Sequence, residues 1–423
     1  MYDLLIRDVT IITSAGRQVA DIAVEGDRIA YVGGNPAGGA REEVSGIGRF
    51  VIPGVIDTQA RMRTPGTGVG PEWAQNSRAA VVGGVTTVLD LPDEQGEDAS
   101  GDRLAAAAAG SVCNYGVWSA ATTDGDPWAR VADGQAVAPL VQLDAADGPR
   151  AVGVDGLRAI LDAAEGRLVG VHAELASALV DPAAATHAAR PAEAALAGAR
   201  AVLELCRELD SPVHLTSLTT AAELNLLDPH RGDVPVTTAL SPIHLFLSLE
   251  LGAKNGLSEL LASRPPIRPE LDRRALWAAI KRGRVDVAAS AHLPLSRAAK
   301  ADGAPGMPGV GMLFPMLMSG VRHGRMSLER LVEMCCEAPA RIFGLEGKGV
   351  IAEGADADLV VMTEGVTERV TGPLPWGTTD WTPYVGRDAG VAPQLVLVQG
   401  RVVARSGVLG DALPEGRQVR LAR

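Results

Sequence analysis

The sequence predicts an α/β chain in which a (β/α)8 barrel is inserted into a small β-sandwich domain formed by the N- and C-terminal segments. Three observations lead there. Short apolar segments alternate with Ala-rich amphipathic ones through the middle of the chain, the texture of stacked βα units. Strand-like segments mark both ends. Hydrophobic residues make up 47% of the 423 residues but aromatic ones only 3%, so the core is aliphatic, as in parallel sheets covered by helices.

Alternation and Gly-rich breaks place short strands at residues 4–12, 21–24, 28–32 and 48–52. Eight strand candidates follow at 51–58, 85–91, 114–121, 137–143, 168–173, 213–217, 234–240 and 285–291. Helical stretches with apolar spacings of three and four lie between them, at 73–82, 156–164, 192–209 and 273–281. Eight such units close naturally into a barrel. After a helix over 328–343, strand texture returns at 349–351, 357–362, 394–398 and 401–404. The expected division is therefore a composite small domain, 1–52 plus 346–423, around a barrel of 53–345. A doubly wound open sheet is the structural alternative, although Gly33-Gly34-Asn35-Pro36 is no dinucleotide-binding fingerprint.

A net charge of −12 with no basic patch argues against nucleic acid and anionic membranes, whose phosphates would be repelled. No apolar run approaches the roughly 20 residues that a membrane helix needs. The first residues lack the basic-then-apolar plan of a signal peptide, so a cytoplasmic protein is expected. Cys113, Cys206, Cys335 and Cys336 have no Cys-x-x-Cys spacing, which favours reduced, buried thiols.

Reactive groups in such a barrel project from the carboxyl ends of its strands. The first strand ends in Pro53-Gly54-Val55-Ile56-Asp57-Thr58-Gln59-Ala60-Arg61-Met62-Arg63-Thr64-Pro65-Gly66, the fifth in His172-Ala173-Glu174, the sixth carries His214, and the eighth ends in Ser290-Ala291-His292-Leu293-Pro294-Leu295. In this order the segments resemble the dihydroorotase branch of the amidohydrolase superfamily, over nearly the whole chain. That branch carries Pro-Gly-x-Ile-Asp-x-His-x-His-x-Arg-x-Pro-Gly after strand one, a His on each of strands five and six, and Asp-His-Ala-Pro-His on strand eight. Its closing segments resemble Ala338-Pro339-Ala340-Arg341-Ile342-Phe343 and Gly354-Ala355-Asp356-Ala357-Asp358. The resemblance implies ring opening and closing of a cyclic amide, dihydroorotate, with one or two zinc ions activating water and a strand-eight Asp shuttling the proton.

Carried over residue by residue, the pattern breaks at its centre. Gln59 and Arg61 stand at the His-x-His pair, Ala291 at the strand-eight Asp, and Leu295 at the second His of that motif. On strand four the acidic ligand corresponds to Asp147 in Ala146-Asp147-Gly148, and His172 and His214 match the remaining imidazoles. Arg63 matches the arginine that holds the substrate carboxylate, but its companion Asn is Asp93. Gln59, Arg61, Asp147, His172, His214 and Ala291 thus form a degenerate metal site, and Arg63 and Asp93 a vestigial substrate site. A guanidinium about 4 Å from a dication repels it by roughly 8 kcal/mol at an effective dielectric near 20. No catalytic residue and no bound metal are therefore expected; if a metal binds, it is one weak zinc on His172 and His214. Arg61 reads as a plug that pairs with Asp147 or with a ligand's carboxylate, as drift, or as a side chain pointing to solvent.

Family members that have lost zinc ligands assemble with aspartate carbamoyltransferase catalytic chains. The resemblance therefore implies a non-catalytic, structural subunit of pyrimidine biosynthesis with that partner, or a homo-oligomer. The alternatives are an active cyclic amidohydrolase with a reduced, single-metal site of His172, His214 and Asp147, and a sensor that keeps Arg63 as a carboxylate clamp. Trp376, Trp381 and Tyr384 gather aromatic residues to cap the barrel or meet a partner.

Overall fold

A computed structural model describes residues 1–64, 72–93, 98–363, 365–373 and 376–422, and in it both ends of the chain enter one sheet. Nine strands join by hydrogen bonds into that single sheet. Tyr2–Thr13, Gly16–Glu25 and Arg28–Gly33 run as an antiparallel meander, and Ala40–Ser45 and Phe50–Pro53 pair in parallel with the first of them. Phe50–Pro53 then pairs antiparallel with Leu359–Met362, which continues the sheet through Leu395–Val398, Arg401–Arg405 and Val408–Leu409. Ile6, Val9, Ile22, Val51, Leu359 and Leu397 form its buried aliphatic core.

The segment expected as one strand over 51–58 is divided at Gly54. Phe50–Pro53 belongs to the composite sheet and Val55–Ala60 begins a separate parallel series. Seven further strand positions follow: Val85–Asp90, Asn114–Val117 continued by Ser119–Ala120, Pro139–Gln142, Val169–His172, Val213–Leu215, Val236–Leu240 and Val287–Ala288. Each hydrogen-bonded pair among them is parallel and joins consecutive strands. Ala60 bridges His292, and Arg61 N–H donates to the His292 carbonyl at 2.8 Å, so the first strand also neighbours the segment after the eighth.

The expected helices appear at Glu72–Val82, Gly153–Asp162, Ala192–Leu209 and Glu270–Lys281. The helix expected over 328–343 is Leu328–Val332 and Ala338–Ile342 joined through a wider turn at Glu333–Glu337. Residues 349–351 form no strand, and polar Ala40–Ser45 and the hairpin Thr367–Arg369/Asp388–Gly390 are additional. Trp381 and Tyr384 are buried, with the Trp381 indole donating to Leu295 O at 2.8 Å; Trp376 is exposed. No helix among the described residues is long and apolar enough to cross a membrane.

Two close approaches fix how the helices and aromatic side chains sit on the parallel strands. Trp118 is wholly buried, and a Cβ at Gly170 would lie 2.2 Å from its ring. A Cβ on Gly198, in the helix Ala192–Leu209, would lie 1.6 Å from the Ala173 carbonyl oxygen, which is backbone and cannot turn aside. Gly198→Ala is therefore expected to destabilise the protein by about 3 kcal/mol or more, the upper range for overpacking. A urea midpoint equal to that of the unsubstituted protein would refute that close approach.

Candidate functional site

Parallel pairing brings the ends of the fourth and fifth strands together. Gln142 lies opposite His172, and Leu143 N–H donates to the His172 carbonyl at 3.0 Å, which places Asp144 beside His172. Extended chain alternates its faces, so Glu174, two residues on, shares the side of His172. Asp144, His172 and Glu174 each offer a ligand atom, and these atoms all lie within 4.8 Å of one another. His172 Nε2 is 3.3 Å from Glu174 Oε2 and 3.7 Å from Asp144 Oδ2.

Two arginines close over this group from helix starts. Arg190 and Arg268 each precede a proline, Pro191 and Pro269, which occupies the N-cap position of a long helix. A residue before proline is held extended, and both arginine side chains are delivered inward. Arg190 NH2 is 2.5 Å from Asp144 Oδ2 and 2.8 Å from Glu174 Oε2, and Arg268 NH2 is 3.2 Å from Glu174 Oε1. Burial alone would raise the Glu174 carboxyl, but its hydrogen bond to His172 and the charges of His172, Arg190 and Arg268 outweigh that and hold it down at about 2. For His172 burial acts downward, and the Asp144 charge and the Glu174 hydrogen bond and charge prevail, so its pKa is raised. The group already attracts positive charge. Asp144 Oδ1 is buried without a hydrogen-bond partner.

This group opens on a pocket whose lining includes Gln59, Arg61, Gln142, Asp144, His172, Arg264 and Ala291. Gln59, Arg61, His172 and Ala291 thus line one pocket. Arg61 Nε donates to the Pro92 carbonyl at 3.1 Å, and Gln59 Nε2 is buried without a partner. Ala291 has φ +52°, a left-handed conformation that is uncommon away from glycine. Arg63 NH2 lies 3.0 Å from Asp93 Oδ2, so those two residues pair with each other. Pro65 and Gly66 of the first-strand motif fall outside the described residues.

Three expectations need correction. Asp147 is exposed and Asp144, three residues earlier, is the acid at the strand end, because the chain turns outward after Asp144. His214 is not part of the cluster: its Nδ1 is 2.9 Å from Thr237 Oγ1, and its ring packs against Phe343 at 5.3 Å between centroids. Burial pushes His214 down to about 4, which keeps it neutral. The expected absence of a metal is overturned by the buried carboxylate–imidazole–carboxylate group itself. A cation beside Arg61 with only imidazole donors would be repelled, whereas the observed donor group includes two carboxylates.

Glu174, Arg190 and Arg268 received no role from the sequence. The alternation His172-Ala173-Glu174 and the repeated Arg-Pro before a helix were the available signals.

The chain matches the model of the Amidohydrolase family over residues 50–403. It is 34% identical to a dihydroorotase of Halobacterium salinarum, over 98% of this chain and 99% of that one. It is 29% identical to an allantoinase of Rubrobacter xylanophilus, over 100% of this chain and 98% of the other. Its fold is similar to that of an L-hydantoinase from Arthrobacter aurescens, with a TM-score of 0.87 at 23% identity, covering 99% and 100% of the two chains. With the family model spanning most of its length and a relative of this identity end to end, the chain belongs to the amidohydrolase family.

Proposed function

We propose that this protein is a hydrolase of cyclic amides, of the dihydroorotase or hydantoinase kind, working from a reduced single-cation site. In this reading the eight parallel strands act as one closed (β/α)8 unit, residues 53–345, carried by a composite domain of 1–52 and 346–423. The observation that carries it is the Asp144–His172–Glu174 group, of which Asp144 and His172 line the pocket. Mixed nitrogen and carboxylate donors suit zinc, and Asp144 Oδ1 is a buried oxygen with no hydrogen-bond partner among the described residues. Asp144, His172 and Glu174 would hold the ion. When bound, such a cation polarises a carbonyl and lowers the pKa of water near it.

The remaining pocket residues bind and orient. Arg61 and Arg264 line the cavity, and a guanidinium is a group that can hold a carboxylate borne by a ring. Gln59 Nε2 is a buried donor free to meet a ring carbonyl. Ala291 supplies no proton carrier. Turnover is therefore expected to be slow, and Ala291→Asp is expected to raise it by about 10²-fold, at the low end of general acid–base catalysis. The left-handed backbone at 291 accepts Asp more readily than most residues. Hydrolysis of dihydroorotate and of a hydantoin in excess zinc tests both statements. No turnover of either ring by either form would overturn the reading.

A second reading is favoured by Gln59, Arg61 and Ala291, which line the pocket where the family pattern carries two imidazoles and an acid. It is a non-catalytic structural subunit assembling with aspartate carbamoyltransferase catalytic chains. Co-elution of the two on mixing would support it, and a mixture that runs as separate components would count against it.

A further inference from the structure

Arg190 is fully buried, and one of its nitrogens touches both carboxylates of the candidate cation site. Its Nε also donates to Glu174 Oε2 at 2.9 Å. Arg268 holds Glu174 Oε1, so three of the four carboxylate oxygens face a guanidinium and Asp144 Oδ1 alone has no hydrogen-bond partner. We infer that Arg190 is an internal competitor for the cation, a latch whose guanidinium satisfies Asp144 and Glu174 and must withdraw before both can serve as ligands. This inference rests on the reading that Asp144, His172 and Glu174 hold a cation.

The competition follows from charge and geometry. Asp144 Oδ2 and Glu174 Oε2 converge on Arg190 NH2, at 2.5 and 2.8 Å, and an ion using those two oxygens needs the same space. Arginine does not escape by losing its proton, so the side chain has to move as a cation. Its other contact is weak: NH1 donates to Pro182 O at 3.4 Å, on the segment that leads into Arg190. The latch therefore keeps the group electrically satisfied without an ion and lowers the site's affinity for one.

Zinc titration against a competing chelator dye, on the full chain at fixed pH, tests this. Arg190→Met keeps much of the stem and removes the charge. It is expected to lower the zinc dissociation constant by about 10- to 100-fold, the range over which residues behind the ligands tune metal affinity. Arg190→Lys is expected to fall between, because one ammonium faces both carboxylates less well than a planar fork. Thermal melts report folding and give a second readout, with zinc raising the melting temperature more in Arg190→Met than in the unsubstituted protein. Equal affinities, or tighter binding by the unsubstituted protein, overturn the latch and leave the cation reading standing. Zinc bound by none of the three forms defeats the cation reading itself. If Arg190→Met does not fold, Arg190→Lys decides alone: an affinity no higher than that of the unsubstituted protein overturns the latch.

Discussion

Lowering the pH from 7 to 4 is expected to destabilise this protein through three buried histidines, with most of their loss between about pH 6.5 and 4. His214, His244 and His292 are buried to 0%, 4% and 3% exposure. Burial pushes them down from 6.5 to about 4, about 4 and about 3. Each takes up a proton more readily in the unfolded chain than in the folded one. Their contribution to stability is therefore complete above 6.5 and is lost as the pH falls toward the folded values. A shift of this size is worth roughly 3 kcal/mol per group once fully expressed, and three together approach 10 kcal/mol. Domains are commonly stable by only about 5–15 kcal/mol. The hydrogen bonds agree: His292 Nδ1 accepts from Gly309 N–H at 2.9 Å, an arrangement that requires an unprotonated nitrogen. Urea midpoints at pH 7, 6, 5 and 4 measure the effect, and midpoints that do not fall across this range would contradict it.

Glu174→Gln is expected to destabilise the protein by about 3–5 kcal/mol, the cost of removing one partner from a buried ion pair. The change keeps the volume and removes the charge that faces Arg190, Arg268 and His172. Asp144 then remains as the carboxylate against Arg190, and Arg268 loses the only carboxylate within ion-pair distance among the described residues. Glu208→Gln is the matched control. Its pair with Arg158 is exposed, and such pairs are typically worth about 0–1 kcal/mol. Equal, small effects of the two substitutions in urea unfolding would show that the buried network does not hold the strand ends.

How much of this was legible in the sequence depends on the length scale of the signal. Parallel strands with helices between them were visible because periodicity is local, and Ala192–Leu209 agrees to the residue. The strand Ala40–Ser45 was not, since Arg41, Glu42 and Glu43 are exposed on an edge and show no apolar alternation. The first strand was drawn as one because its apolar run crosses Gly54, where the chain passes from one sheet to the next. At the site, Gln59, Arg61, His172 and Ala291, which the resemblance to the family motifs singles out, line one pocket. Asp147 is the acid that the resemblance singles out, whereas the end of strand pairing decides which acid points inward, and that is Asp144. His214 was counted as a ligand because its position matched, but Phe343 and Trp118, distant in sequence, enclose it. Arg190 and Arg268 come from loops whose direction depends on tertiary packing.

The antiparallel pairing of Phe50–Pro53 with Leu359–Met362 has a consequence for biogenesis. Roughly 300 residues separate the two partners, and at about 5–20 residues per second a ribosome takes tens of seconds to deliver the second. Throughout that interval the nascent Phe50–Pro53 segment exposes an unmatched row of amide and carbonyl groups, the template through which β-proteins aggregate. Synthesis of this chain thus leaves that edge of Phe50–Pro53 without its partner until most of the chain has been made.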